Sequence, residues 1–388
     1  MTTSETLGDE LTRQAAHIGA KVAGPAAGEV DRDARFPTEA FDALRDAALL
    51  SVLVPPELGG RGASVGQVAD VVFELGRHCA STAMIYAMHQ IQVASLVRHG
   101  RSAFFRDYLA ELSERQLLLA SATTELGVGG DVRTSVCTVE RDDAGAVHLE
   151  KMAPVISYGE HADGILATAR RAPESPPNDQ VLVLCQAPGL TLEPISGWDT
   201  LGFRGTCSLG FRLVADGGSD HILDDAYADI SSRTMLPVSH ILWSNVWLGL
   251  ATSATDKARH FVRTEARKKP GVTPPSALRL AELIAQLQRM EELVRGTAQR
   301  YDRQCDDLDT LAGMGFAIAM NSLKVSASTL VVDIVNRAMA ICGMAGYRED
   351  SPYSLGRILR DAHGAAVMVN NDRINSNTAQ MLLIHKDD

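Results

Sequence analysis

The spacing of apolar residues changes period twice along this 388-residue chain, near Gln116 and again near Asp225. Before the first switch it is helical: FPTEAFDALRDAALL puts Phe41, Leu44, Ala48 and Leu49 on one face. VPPELGGRG interrupts with prolines and glycines, and SVGQVADVVFELGRHC and STAMIYAMHQIQVASLVRHG follow as two more helices. The second is apolar all round, as expected of a helix buried on every side. Between the switches, LLLASAT, GAVHLEKM, GILATAR, VLVLCQA, LTLEPI and CSLGFRLV are short, β-branched or alternating, and separated by turn residues. Their connections are too short for crossover helices, which predicts antiparallel pairing. After Asp225 long helical segments begin near Pro237, Pro275, Leu311 and Tyr353. The expected fold is α+β: a helical domain over 1–115, an antiparallel β domain over 116–225 and a helical domain over 226–388.

Charge and composition narrow the function. With 37 basic and 48 acidic residues the net charge is −11, which argues against a nucleic-acid surface. No uninterrupted apolar run reaches the ~20 residues of a bilayer span. The polar start MTTSETLGDE does not read as a signal peptide. These features predict a cytoplasmic protein without a membrane partner. Six dispersed cysteines form no CxxC pair, and eleven histidines show no metal-binding spacing, so no metal is expected.

One glycine-rich stretch, TTELGVGGDVRT (residues 123–134), raises the possibility of a nucleotide loop. A dinucleotide fingerprint needs a strand, three glycines at fixed spacing and then a helix. Here the third glycine is absent and VRTSVCTVERDD alternates as another strand, so that reading fails. Locally, a plain turn and a ligand loop remain equally good readings.

Five segments in order resemble the acyl-CoA dehydrogenase family of flavoproteins across nearly the whole chain. VPPELGGRG is similar to its VPxxxGGxG turn. TTELGVGGDV resembles TEPGAGSD, with Leu126 for the proline and Gly130 for the serine. LEKMAPVISYGEHAD resembles LxGxKxWITNGxxAD, with Val155 for Trp and Ser157 for Thr. GWDTLGFRGTCS and ICGMAGYREDSPYSLGRILRDA resemble the MGxRGSxT and GGxGYxxExPxxRxxRDA elements. The resemblance implies a C-terminal four-helix bundle, FAD held between it and the β domain, and a homotetramer or homodimer sharing that cofactor. Ser121, Thr123, Thr124, Gly129 and Gly130 would then line the flavin through backbone amides and hydroxyls, and Ser157 would stand near flavin N5. Arg267 matches an Arg that reaches a neighbouring subunit's FAD and Gly343 a further cofactor-binding position, whereas Pro270 and Ala340 replace the family's Phe and Gln.

The family's dehydrogenation removes an α-proton from an acyl thioester, with a glutamate as base. At its two usual positions this chain has Val369 and Ser239, and no glutamate follows Glu349. Asp372 and His240 are candidate replacements; a solvated aspartate and a surface histidine are the plain alternatives. A flavin-dependent monooxygenase of the same fold needs no such base, and Ser157 and His89 would suit its polar, dry site. His89 is equally readable as a satisfied core histidine. Trp243 and Trp247 can wall an acyl pocket or fill the bundle core. The primary expectation is therefore an FAD enzyme acting on an acyl thioester, linked to CoA or a carrier protein. Its alternative is a monooxygenase using reduced flavin and O2. The respective partners are an electron-transfer protein or a flavin reductase.

Overall fold

The computed structural model describes residues 6–129 and 132–385. Six helices lead: α1 (Leu7–Ile18), α2 (Gly24–Arg32), α3 (Thr38–Asp46), α4 (Val65–Gly76), α5 (Ala80–His99) and α6 (Ala103–Arg115). Thr6 and Ser64 open α1 and α4 with reciprocal capping boxes to Asp9 and Gln67, satisfying amides that have no partner inside the helix. Helix α3 is shorter than its apolar period predicts. It ends at Asp46, and exposed Ala48 takes a left-handed turn (φ 51°) that swings Leu49 into the core. In the VPPELGGRG turn Gly60 is obligatory, because a Cβ there would stand 2.0 Å from the Val54 carbonyl oxygen.

Among the described residues seven strands follow: β1 (Leu119–Ala122), β2 (Glu140–Arg141), β3 (Ala146–Ala153), β4 (Gly164–Arg170), β5 (Gln180–Gln186), β6 (Leu190–Ser196) and β7 (Gly210–Gly218). They form two sheets, ordered β1-β4-β5 and β2-β3-β7-β6. Pairing is antiparallel except between β1 and β4, where Leu119 registers with Gly164 in parallel. The parallel pair corrects the expectation of a wholly antiparallel domain. Between β1 and β4 the chain leaves for the second sheet and returns, so a β-excursion does the work of a crossover helix. A second correction concerns VRTSVCTVERDD: only Glu140 and Arg141 are in a strand, with one isolated bridge from Thr138 to Arg170.

The remaining helices are α7 (Tyr227–Ile230), α8 (Leu236–Lys268), α9 (Ser276–Gln304), α10 (Leu308–Ala312), α11 (Met314–Cys342), α12 (Met344–Tyr347), α13 (Gly356–Val367) and α14 (Asn371–Leu382). Pro237 lies in the first turn of α8 and Pro275 precedes α9, where a missing N–H costs nothing. Helices α8, α9, α11 and α13 pack as a four-helix bundle, and α8 also packs on α4 and α5. Helix α11 is long and apolar enough to cross a membrane by length and composition alone, although Asn321, Lys324 and Asp333 interrupt its apolar run. In this fold its apolar side packs against α8, α9 and α13.

Candidate functional site

The glycine-rich loop is anchored by its own glutamate. Glu125 is buried, and its Oε2 accepts from Ser135 Oγ (2.6 Å), the Val136 amide (3.1 Å) and Lys151 Nζ (3.1 Å). Its Oε1 accepts from the Cys137 amide at 2.6 Å. These bonds explain why residues 132–139 are not a strand: amides that a ladder would use go to a carboxylate instead. Burial opposes ionisation of Glu125, but Lys151 and the surrounding donors outweigh it and hold the carboxyl below its ordinary range. Lys151 is itself buried on β3 and also donates to the Thr168 carbonyl (2.8 Å). The loop then runs beside the end of β3, where Leu126 N–H donates to Met152 O (2.9 Å), and the segment after it, where Thr124 Oγ1 donates to Val155 O (3.2 Å). At Gly129 (φ 59°) no atom of the described residues beyond its chain neighbours lies within 4 Å of where a Cβ would stand, so a flat ligand can approach the backbone closely.

Ser157 lies two residues beyond Val155 and is half-buried. It ends a row of three hydroxyls: Ser208 Oγ is 2.8 Å from Ser157 Oγ and 2.7 Å from Thr206 Oγ1, which is 2.9 Å from Phe203 O. Backbone bonds from Ile156 N–H to Leu209 O and from Tyr158 N–H to Thr206 O, both 2.8 Å, clamp the segments together. Tyr158, Phe203 and Cys207 all have positive φ (43°, 50° and 44°), so strained backbone flanks the row on both sides. Bundle helix α13 supports it as well: Asp361 Oδ1 accepts the Phe203 amide at 2.6 Å. Asp361 is buried, which pushes its carboxyl up to about 6.

The base region is built differently from the sequence expectation. Val369 sits in the turn between α13 and α14 with φ 49°, an uncommon conformation for a β-branched residue. Lys324 of α11, fully buried, donates to Val369 O (2.6 Å) and Asn371 Oδ1 (2.7 Å), and its Nζ lies 5.8 Å from the Trp247 ring centroid. Burial alone brings its ammonium down to about 8. Asp372 is exposed in the first turn of α14. Its neighbour Arg373 donates to Gly129 O at 2.6 Å, which brings this turn against the glycine loop.

Both histidines lie in the core. Leu119 N–H donates to His89 Nδ1 (3.0 Å), so the proton is on Nε2, which donates to Leu50 O (2.7 Å). With both nitrogens bonded to backbone and burial bringing it down to about 4, His89 is a neutral pin between α5, β1 and the turn after α3. That geometry matches the satisfied core histidine. His240 is also buried, not on the helix surface, and its Nδ1 donates to Met320 O (3.0 Å). Burial brings it, too, down to about 4. Trp247 is fully buried bundle core, whereas Trp243 is half-buried and its buried indole Nε1 has no partner among the described residues.

The fold thus gathers Ser121, Thr123, Thr124, Gly129 and Ser157 along one edge, with the turn carrying Asp372 beside it. Gly130 lies outside the described residues. Arg267 and Gly343 are exposed at the C-terminal ends of α8 and α11, apart from this edge in a single chain. A cavity of about 780 Å³ lies elsewhere, between α2, the 200–204 loop and α13, and Arg204, Lys257 and Arg357 help line it. Sequence reasoning does not find Glu125, Lys151, Thr206, Ser208, Lys324 or Arg373. The hydroxyl pair is in view inside GWDTLGFRGTCS; the two lysines and Arg373 carry no local signal. The half-buried hydroxyl of Ser157, Thr124 and the open face of Gly129 fit a flat heteroaromatic group with hydrogen-bonding edges, as a flavin has.

Comparison with known proteins agrees with this layout. Residues 8–116 match the acyl-CoA dehydrogenase N-terminal domain and residues 231–376 the acyl-CoA dehydrogenase C-terminal domain. Cyclohex-1-ene-1-carbonyl-CoA dehydrogenase of Syntrophus aciditrophicus (strain SB) is 25% identical over 374 residues, covering 94% of this chain and 86% of that protein. Dibenzothiophene monooxygenase of Mycolicibacterium goodii is 26% identical over 338 residues, covering 82% and 81%. The structure of FMN-bound TdsC from Paenibacillus sp. A11-2 superposes with a TM-score of 0.81 at 20% identity, covering 98% of each chain. From its two matched domains and the fold that joins them, this chain belongs to the acyl-CoA dehydrogenase family of flavoproteins.

Proposed function

We propose that this protein is a flavin-dependent monooxygenase, using reduced flavin and O2 to oxygenate a small organic substrate. The observation that carries this reading is the base region. Val369 and Ser239 occupy the two positions of the family glutamate, and a buried ammonium, Lys324, lies beneath the first of them. A proton-abstracting site wants a partly desolvated carboxylate within reach of the substrate. This region instead offers a neutral histidine, two tryptophans and a lysine already bonded to backbone.

A bound flavin supplies two-electron transfer and, when reduced, the activation of O2. Thr124, Ser157 and the amides of the 121–129 loop would hold its ring, and the α13–α14 turn would cover the other side of the crevice and keep water out. FAD is the family expectation. Pro270 and Ala340 stand where the family resemblance expects cofactor contacts from Phe and Gln, and FMN is the flavin in TdsC. Arg267 and Gly343, exposed at helix ends, would serve a cofactor only across a contact between two copies, which is why we keep a homodimer or homotetramer in the proposal. A flavin reductase is the implied partner.

The dehydrogenase reading retains one observation. Arg373 ties the turn carrying Asp372 to Gly129, so a carboxylate stands near the proposed flavin edge. One experiment separates the two. Flavin-loaded protein is mixed anaerobically with a panel of acyl-CoAs, and separately reduced and exposed to O2. Bleaching by an acyl-CoA without any added reductant would overturn the monooxygenase proposal. Inertness to acyl-CoA, with O2 consumed only from the reduced state, is the expected result. Heat release and mass analysis of the flavin decide between FAD and FMN.

A further inference from the structure

The cleft between α2, the 200–204 loop and the start of α13 carries more positive charge than its own carboxylates neutralise. It encloses about 780 Å³, and Arg32, Arg204, Lys257, Arg357 and Arg360 line it, against Asp31 and Glu349. Three of these cations are paired locally. Arg360 pairs with Asp31, Arg204 with Asp199 (2.8 Å) and Arg32 with Asp33 (3.1 Å). Lys257 of α8 and Arg357 of α13 form no ion pair among the described residues. Lys257 Nζ donates to Pro352 O and Arg357 Nη2 to His78 O, both at 3.2 Å. The carboxylates nearby are engaged elsewhere. Glu349 accepts from Ser354 Oγ (3.1 Å), and buried Asp361, which Arg357 influences at longer range, accepts the Phe203 amide.

An arginine has five N–H donors and a lysine three, so most of the donors of this pair have no protein acceptor among the described residues. Burial and the nearby Arg357 guanidinium bring the Lys257 ammonium below its ordinary range. His78 is brought down in the same way, by burial, Arg77 and Arg357. This local excess of positive charge stands out in a chain whose net charge is −11. An anion between α8 and α13 would remove the repulsion and take up the free donors together. A phosphate group, nearly doubly charged at neutral pH and with three acceptor oxygens, suits them better than a carboxylate with two. The volume is that of a small-molecule site, and Leu201 and Ile358 give its wall an apolar part.

We propose that this cleft binds a small organic phosphate, with its phosphate group between Lys257 and Arg357 and its organic part against Leu201 and Ile358. The site is separate from the flavin edge and does not rest on the flavin reading. Arg357 lies in the first turn of α13, whereas the turn that meets the glycine loop follows the other end of that helix. Twelve helical residues, about 18 Å, lie between them. Arg204 and Arg360 are already paired and shape the cleft around the two free cations.

The test is equilibrium dialysis of labelled inorganic phosphate at fixed ionic strength, on protein with and without bound flavin. Wild type should bind phosphate in both states, and adenosine monophosphate should displace it whereas adenosine should not. Lys257→Met and Arg357→Met should each weaken binding by about tenfold or more, the loss expected of a charge-assisted hydrogen bond. Arg32→Met, on the same cleft but paired with Asp33, should change it by less than about twofold. Without phosphate, Lys257→Met should not lower the denaturation midpoint, because it relieves the repulsion from Arg357; a lysine with a purely structural role would lower it. Equal binding by wild type and both variants, or none by wild type, overturns the proposal. Binding confined to flavin-free protein assigns the phosphate to the cofactor and overturns a separate site. Phosphate that adenosine monophosphate fails to displace overturns the organic ligand.

Discussion

Lys151 Nζ and Glu125 Oε2 stand 3.1 Å apart with side chains 0% and 5% exposed, and this pair sets the path of the glycine-rich loop. Removing one member leaves the other charge buried without its partner, a loss of about 3–5 kcal/mol. We expect Lys151→Met to lower the denaturation midpoint accordingly and to weaken flavin retention, measured by filtration of loaded protein. The folded Glu125 carboxyl lies below its ordinary range, so its contribution is full above that range and is lost as pH falls through it. Glu125→Gln should therefore lose part of the wild type's acid sensitivity below about pH 4.5.

His89 joins α5 to β1 in its neutral form. Its folded value of about 4 lies below the ordinary 6.5, so the folded state binds fewer protons than the unfolded one between these values. Stability from this group is full above pH 6.5 and falls away toward pH 4, by about 3 kcal/mol. Equilibrium unfolding across pH 4–7 should show that slope in the wild type and a shallower one in His89→Gln. A His89→Gln variant that kept full stability but lost a kinetic pKa would instead place His89 in the chemistry.

Asp361 has the opposite sign. Burial raises it to about 6 from 3.8, so the folded state holds its proton more tightly and stability from this group declines as pH rises between these values. Asp361→Asn keeps an oxygen for the Phe203 amide and removes the charge. Relative to wild type the variant should gain with rising pH, by up to about 3 kcal/mol at pH 7. Parallel urea titrations at pH 4.5 and pH 7 measure the difference.

The left-handed Val369 is held by Lys324, so the turn stores strain against two hydrogen bonds. Val369→Gly should relieve about 1 kcal/mol of it. Lys324→Met should free the turn and raise amide exchange in residues 369–373 by tenfold or more, since bonds from a charged donor contribute about 1.5–3 kcal/mol each. If exchange there stayed at wild-type rates, Lys324 would not be what holds the turn.

Much of the architecture was legible because period and proline are local signals. Pro237 and Pro275 marked the starts of α8 and α9, and the apolar surround of α5 announced its burial. Pairing was less legible. That β1 runs parallel to β4 depends on an excursion through another sheet, and no short window contains it. The alternation of VRTSVCTVERDD looked like a strand because nothing local reveals that Glu125 takes its amides. The base region shows the same limit. The absence of a glutamate was visible at Val369, but the ammonium beneath it comes from Lys324, 45 residues earlier on another helix.

The bond from Arg373 to Gly129 spans 244 positions of the chain. On the ribosome, the glycine loop emerges with Glu125 at its start and the donors to that carboxylate close behind it, but the turn that meets Gly129 waits until α14 has been made. A nascent chain can therefore complete its first helices and both sheets while the crevice is still open on one side. Capture of the proposed flavin would, on this topology, belong to the last stage of synthesis.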